Sequence, residues 1–168
     1  MTLKAIKTRI YPTVGQQDKI VNNFGCCRFV WNQLLAMQSE RHDNGGSYVN
    51  EFGMNYLIKQ LKAEYPFLKK AESTSLLHVS RDLNHGFQKL FKEHHGYPRF
   101  KSRKFPKQSY QSNSVNHNIQ VVKEGYLRLP KLGTVKFKCG QIVTGTIKNA
   151  TIRKSFAGKF YATILVDT

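Results

Sequence analysis

Five cations and three aromatic rings fall within eleven residues, Tyr97-Pro98-Arg99-Phe100-Lys101-Ser102-Arg103-Lys104-Phe105-Pro106-Lys107. Lys and Arg neutralise phosphates, and aromatic faces stack on bases, so this composition suits single-stranded or structured nucleic acid. A solvated basic loop is the plainer alternative. Arg99, Lys101, Arg103 and Lys104 are the candidate phosphate ligands of the segment, with Tyr97 and Phe100 as candidate stacking rings. Lys7, Arg9, Arg28, Lys136 and Lys138 extend the phosphate-binding set into the rest of the chain.

Other chemistry finds less support. A metal-dependent nuclease needs several carboxylates converging on one or two ions. Eight of the ten acids are scattered through residues 1–96, and the other two are Glu124, in a turn, and Asp167, the penultimate residue. His94-His95 beside Glu93 invites a metal reading, but adjacent side chains diverge in a strand or a helix and no cysteine pair lies near. Cys26, Cys27 and Cys139 match neither a disulfide framework nor zinc-site spacing, and read as small buried apolar residues. No Walker-type loop, G-x-S-x-G elbow or H-E-x-x-H pair occurs. The chain therefore reads as a binder, with no catalytic, metal or cofactor site of its own.

Charge supports that reading. The 168 residues carry 27 Lys and Arg against 10 Asp and Glu, a formal net charge of +17. The excess lies mainly after residue 96, where Glu124 and Asp167 are the only acids. Solubility needs far less, about 2 to 8 charges on a small domain, so a polyanion is the expected partner. With 40% apolar residues the chain can build a core. No apolar run approaches the roughly 20 residues of a membrane span, and the first residues lack a signal-peptide pattern, so a cytoplasmic, nucleoid-associated protein is expected.

The elements that position these residues follow from periodicity. Lys4 to Tyr11 alternates, with Ile6, Thr8 and Ile10 on one face and Lys7, Arg9 and Tyr11 on the other, as a half-buried strand does. Thr13-Val14-Gly15-Gln16 has capping-box spacing and opens a first helix running to about Phe24. Gly25 separates it from a second helix with Cys27, Val30, Trp31, Leu34 and Leu35 inward. This pair reads as a core helical hairpin rather than a groove-reading helix-turn-helix. A third helix spans about Tyr48 to Tyr65, with Phe52, Tyr56, Leu57 and Leu61 as its apolar side. A fourth begins near Ser73, with Leu76, Val79, Leu83, Phe87, Leu90 and Phe91 inward and His78, Asp82, His85, Lys89 and Lys92 outward.

After a hinge-like stretch from Glu93 to Ser114, five alternating segments follow: 119–122, 126–129, 134–139, 144–154 and 159–166. Val135, Phe137 and Cys139 would face inward, Lys136 and Lys138 outward. The first strand has no nearby partner, and an isolated strand is unstable. It should join the C-terminal sheet, making an α+β fold in which about four helices interrupt an antiparallel β-barrel.

Six blocks, in order, resemble one family. They are Ile10-Tyr11-Pro12-Thr13, Gly25-Cys26-Cys27-Arg28-Phe29-Val30-Trp31-Asn32, Arg81-Asp82-Leu83 with Phe87 and Leu90-Phe91, Tyr97-Pro98-Arg99-Phe100-Lys101-Ser102, Leu129-Pro130-Lys131-Leu132-Gly133 and Tyr161-Ala162-Thr163-Ile164-Leu165-Val166. Together they are similar to the N-terminal half of TnpB (OrfB) proteins, transposon-encoded RNA-guided DNA endonucleases. The resemblance implies an OB-like wedge barrel over 1–12 and 97–168, interrupted by a helical recognition domain over 13–96. It implies guide RNA and double-stranded DNA bearing a short target-adjacent motif as partners, with the nuclease half as a further one. The RuvC-like nuclease, using Mg, and a zinc ribbon, using Zn, are expected outside this sequence. The positions corresponding to the family's motif-reading stretches include Ser73, Thr74, Leu77 and Asn116. Leu77 stands where the family usually has Gln, which removes a base-edge hydrogen-bonding group.

Two rival readings stay open on sequence alone. One is a stand-alone DNA-binding regulator built on the Thr13–Gln38 hairpin, and the other is an inactive transposon relic.

Overall fold

The computed structural model describes residues 2–104 and 108–168. Phe105 and Lys107, named above in the basic segment, lie outside the described residues. Strand β1 (Leu3–Tyr11) is followed by helices α1 (Val14–Asp43), α2 (Glu51–Glu64) and α3 (Ser73–Glu93), with a 3₁₀ turn at Pro66–Lys70. Strands β2 (Gln108–Asn113), β3 (Gln120–Lys123), β4 (Tyr126–Leu129), β5 (Gly133–Lys138), β6 (Thr146–Lys154) and β7 (Phe160–Asp167) complete the chain. It divides into two compact units, residues 1–24 with 106–168 and residues 25–105. Among the described residues no helix is long and apolar enough to cross a membrane.

The first unit is a seven-stranded antiparallel sheet, ordered β2-β6-β7-β1-β5-β4-β3 and curled into a half-barrel with β2 and β3 as its edges. The expected union of the first strand with the C-terminal sheet holds. β1 pairs with β7 from Leu3 to Ile10 and with β5 from Arg9 to Tyr11. The alternation is the cause: Ile6, Thr8 and Ile10 are at most 1% exposed, facing a core that includes Ile152, Ile164 and Val135. Thr8 is tolerated there because its hydroxyl donates to the Ala162 carbonyl at 2.8 Å.

The capping box forms as read. The Thr13 N–H donates to Gln16 Oε1 (2.9 Å), and the Gln16 N–H donates to Thr13 Oγ1 (3.2 Å). Gln16 Nε2 also donates to the carbonyls of Leu132 and Thr134, tying the start of α1 to the residue ahead of β5 and to its second residue. Phe24 packs edge-on against Tyr110 at 5.7 Å between centroids.

Several expectations are corrected. The first and second helices are one helix of 30 residues, with Gly25 inside it, so the Thr13–Gln38 hairpin does not form. One glycine costs a helix interior only about 1 kcal/mol, less than the apolar burial on either side of it gains. Among the described residues there are therefore three α-helices. On α2 the buried residues are Met54 and Ile58, while Phe52 and Tyr56 are 79% and 62% exposed. That helix carries two apolar stripes, and packing chose the other one. His78 is buried, not outward, along with Ser75 and Ser80. Cys139 falls just past β5 and is only half-buried, its thiol donating to the Gln141 carbonyl at 2.8 Å. The hinge-like stretch contains β2, which pairs with β6 along its whole length.

Candidate nucleic-acid interface

In the unit spanning residues 25–105, the cationic segment is held by two consecutive side chains of α1. Trp31 Nε1 donates to the Arg99 carbonyl at 2.8 Å. The Asn32 carboxamide donates to the Lys101 carbonyl and accepts from the Lys101 N–H, both at 2.8 Å. That two-way exchange is what a neighbouring β-strand would offer an extended backbone. The Lys101 ammonium lies 3.9 Å from the Trp31 ring centroid, a cation–π contact. Arg99, Arg103 and Lys104 stay exposed, as does Phe100 at 60%.

Tyr97 sits differently from Phe100. Its ring meets Phe87 edge-on at 5.3 Å, and its hydroxyl lies 3.1 Å from Ser39 Oγ. Tyr48 and Phe91 complete that aromatic group around Phe87. Tyr97 therefore anchors the start of the segment and leaves 45% of its surface open. Arg28 is half-buried on α1 in the same unit.

At the start of α3 the buried Glu72 carboxylate accepts from the N–H groups of Thr74 and Ser75 and from the Thr74 hydroxyl. An acid capping a helix N-terminus satisfies orphan donors and complements the helix dipole. Thr74 is thereby committed to the cap. Ser73 and Leu77, one turn apart, are exposed, Leu77 at 44%. Asn116 belongs to the other unit, exposed in a turn with φ of 52°.

In the sheet unit, Lys7 and Arg9 project from the outer face of β1, and Lys136 and Lys138 from that of β5. Register joins them: Arg9 lies opposite Lys138 on one side and Tyr161 on the other, and Tyr161 opposite Arg153. Arg153 belongs to none of the six blocks and Tyr161 opens the last of them, yet neither was among the sequence-derived binding candidates. Their place in alternating strands was legible, but their pairing with Arg9 was not.

Among the described residues no three His, Cys, Asp or Glu side chains converge as a metal site would require. His95 Nε2 lies 3.5 Å from Glu93 Oε2, both exposed. Cys26 and Cys27 are buried and form no disulfide. Burial pushes the Cys27 thiol up to about 12, against the opposing effect of its contact with Ser75. Burial also raises Cys26.

Residues 1–47 match the family HTH_OrfB_IS605, described as a helix-turn-helix domain. In this chain those residues form β1 and α1 up to the loop after it, one helix without an internal turn. The chain is 33% identical over 99% of its length to the provisionally named RNA-guided DNA endonuclease InsQ of Escherichia coli (strain K12). It is 25% identical over 98% of its length to a provisionally named RNA-guided DNA endonuclease of Streptomyces pristinaespiralis. It spans 41% of the length of each.

Proposed function

We propose that this chain, a homologue of the TnpB/OrfB-type transposon proteins over nearly its whole length, is the nucleic-acid-binding portion of an RNA-guided DNA endonuclease. It grips guide RNA and the DNA flanking the target, and the cutting chemistry belongs to residues outside this sequence. In this reading the sheet unit corresponds to the wedge and the helical unit to the recognition domain. Backbone and shape contacts supply most of the affinity, and base pairing by the RNA supplies the sequence specificity.

The observation that carries the proposal is the clasp of Trp31 and Asn32 on residues 99–101. A free basic loop would need no such device. Here the backbone is fixed while Arg99, Arg103 and Lys104 are left to solvent, an arrangement suited to meeting phosphates with little ordering cost. Ser73, Leu77 and Asn116 remain the proposed contacts to target-flanking DNA. Since Leu77 offers no hydrogen-bonding group, it can meet a base only through apolar contact, such as with a thymine methyl.

The rival regulator required a hairpin over Thr13–Gln38, and the chain forms one continuous helix from Val14 to Asp43 there. The test is to recover the chain from its host and sequence the RNA bound to it. A discrete RNA enriched far above its share of total RNA is expected. Recovery of bulk RNA in proportion to abundance, or of none, would defeat the proposal.

A further inference from the structure

The outer face of the sheet carries a second arrangement of cations and rings, distinct from the clasped segment. Three cations surround one ring: Lys7 Nζ lies 4.6 Å from the Tyr161 centroid, and the guanidinium carbons of Arg153 and Arg9 lie at 5.5 and 5.8 Å. Arg9 also lies 4.9 Å from the Tyr11 ring, and Lys123 4.5 Å from that of Tyr126. The register makes this one face. Lys138, Arg9, Tyr161 and Arg153 form a row across β5, β1, β7 and β6, and Tyr126, Lys136 and Tyr11 form the next row across β4, β5 and β1.

Like charges this close repel, and only the electron-rich ring faces offset that here. Among the described residues none of the cations of these two rows is in an ion pair. No Asp or Glu stands in either row. Arg9 Nε is shielded from solvent and has no hydrogen-bond partner. Such a face lacks an anion. Strands about 4.8 Å apart place Lys138 and Arg153 about 14 Å from each other across three steps, room for a few nucleotides.

We propose that this face is a platform for an unpaired stretch of nucleic acid, its backbone crossing the strands along Lys138, Arg9 and Arg153 and a base resting on Tyr161. Cations that now lie against the ring move to the phosphates as the base takes their place. The alternation of rings and cations favours a single strand, because stacking needs an exposed base face that a duplex does not present. The inference rests on the nucleic-acid-binding reading above and adds to it a second site, with its ligand class.

The experiment measures the affinity of the full 168-residue chain for an uridine dodecamer and for a duplex RNA of equal length, by fluorescence anisotropy. Tyr161→Leu should weaken binding of the single strand roughly tenfold, the size of one lost base stack, and binding of the duplex by less than about twofold. Tyr161→Phe, which keeps the ring, should bind as the parent does. In parallel, the unaltered chain is cross-linked to a 5-bromouridine dodecamer and the adducts are mapped, which needs no variant to fold. Adducts at Tyr161, Tyr11 or Tyr126 are expected. Equal weakening of both ligands by Tyr161→Leu, no weakening at all, or adducts confined to residues 97–104 would each overturn the platform while leaving the broader proposal standing. Failure of the unaltered chain to bind either RNA would instead defeat the broader proposal.

Discussion

Asn32 and Lys101 are 69 residues apart in sequence and exchange two hydrogen bonds, one in each direction, both of 2.8 Å. A single carboxamide thus does for an irregular segment what a strand partner does in a sheet. It also sets which side of the segment carries charge to solvent.

Replacing Asn32 by Ala should therefore cost stability and order together. Each bond contributes about 0.5 to 1.5 kcal/mol net, so Asn32→Ala is expected to lower unfolding free energy by about 1 to 3 kcal/mol in urea titration. Asn32→Asp keeps the acceptor but not the donor, and sets a carboxylate facing the Lys101 carbonyl. It should be no more stable than the Ala variant. A parent-like midpoint for both would show the clasp to be idle.

The exposed cations of that segment should dominate its salt response. Each phosphate neutralised contributes roughly 0.7 to 0.9 to the slope of log affinity against log salt. Changing Arg99, Arg103 and Lys104 together to Gln is expected to flatten the slope by about 2 units with bound RNA. Lys101→Gln alone should change it less than any one of those three, since its ammonium is engaged with Trp31. Anisotropy titrations at several salt concentrations decide the matter, with Lys59, Lys62, Lys69 and Lys70 as the control set.

Gly25 separates a continuous helix from a hairpin by experiment. In a helix interior, Gly→Ala stabilises by about 0.5 to 1 kcal/mol. A Cβ at this position would meet only Arg28 Nη2, at an ordinary 3.6 Å. Gly25→Ala should therefore raise the urea midpoint. A turn there would be harmed by the same change.

The thiols should respond to pH in one direction. Burial favours the neutral thiol of Cys27 and raises its pKa from 9.0 to about 12. The folded state then holds a proton that the unfolded state releases above pH 9. The resulting stabilisation is complete below pH 9 and is lost as pH rises towards 12. Cys27→Ser should therefore show a shallower fall in urea midpoint between pH 9 and 10.5 than the parent. At pH 8 an aromatic disulfide reagent should label Cys139 quickly, and Cys26 and Cys27 only on unfolding.

Sequence alone determined the features governed by local periodicity and by composition. Alternation in β1 and in the segments of β4 to β7 set which side chains face the core, and the lack of a nearby partner for β1 implied its union with the C-terminal sheet. The capping box at Thr13 and Gln16 was legible because its two bonds span three residues. The cation excess after residue 96 and the six family blocks needed no coordinates. Tertiary structure decided what depends on competition between distant contacts. Gly25 is a turn signal only until burial along both halves of α1 outweighs its small local cost. Phe52 and Tyr56 lost the buried side of α2 to Met54 and Ile58, since two apolar stripes on one helix are equivalent until a neighbour packs on one. Strand β2 is polar, and only its pairing with β6 makes it a strand. The row from Lys138 through Arg9 and Tyr161 to Arg153 comes from register between four strands, and a shift of one residue in any of them would turn its side chain to the opposite face.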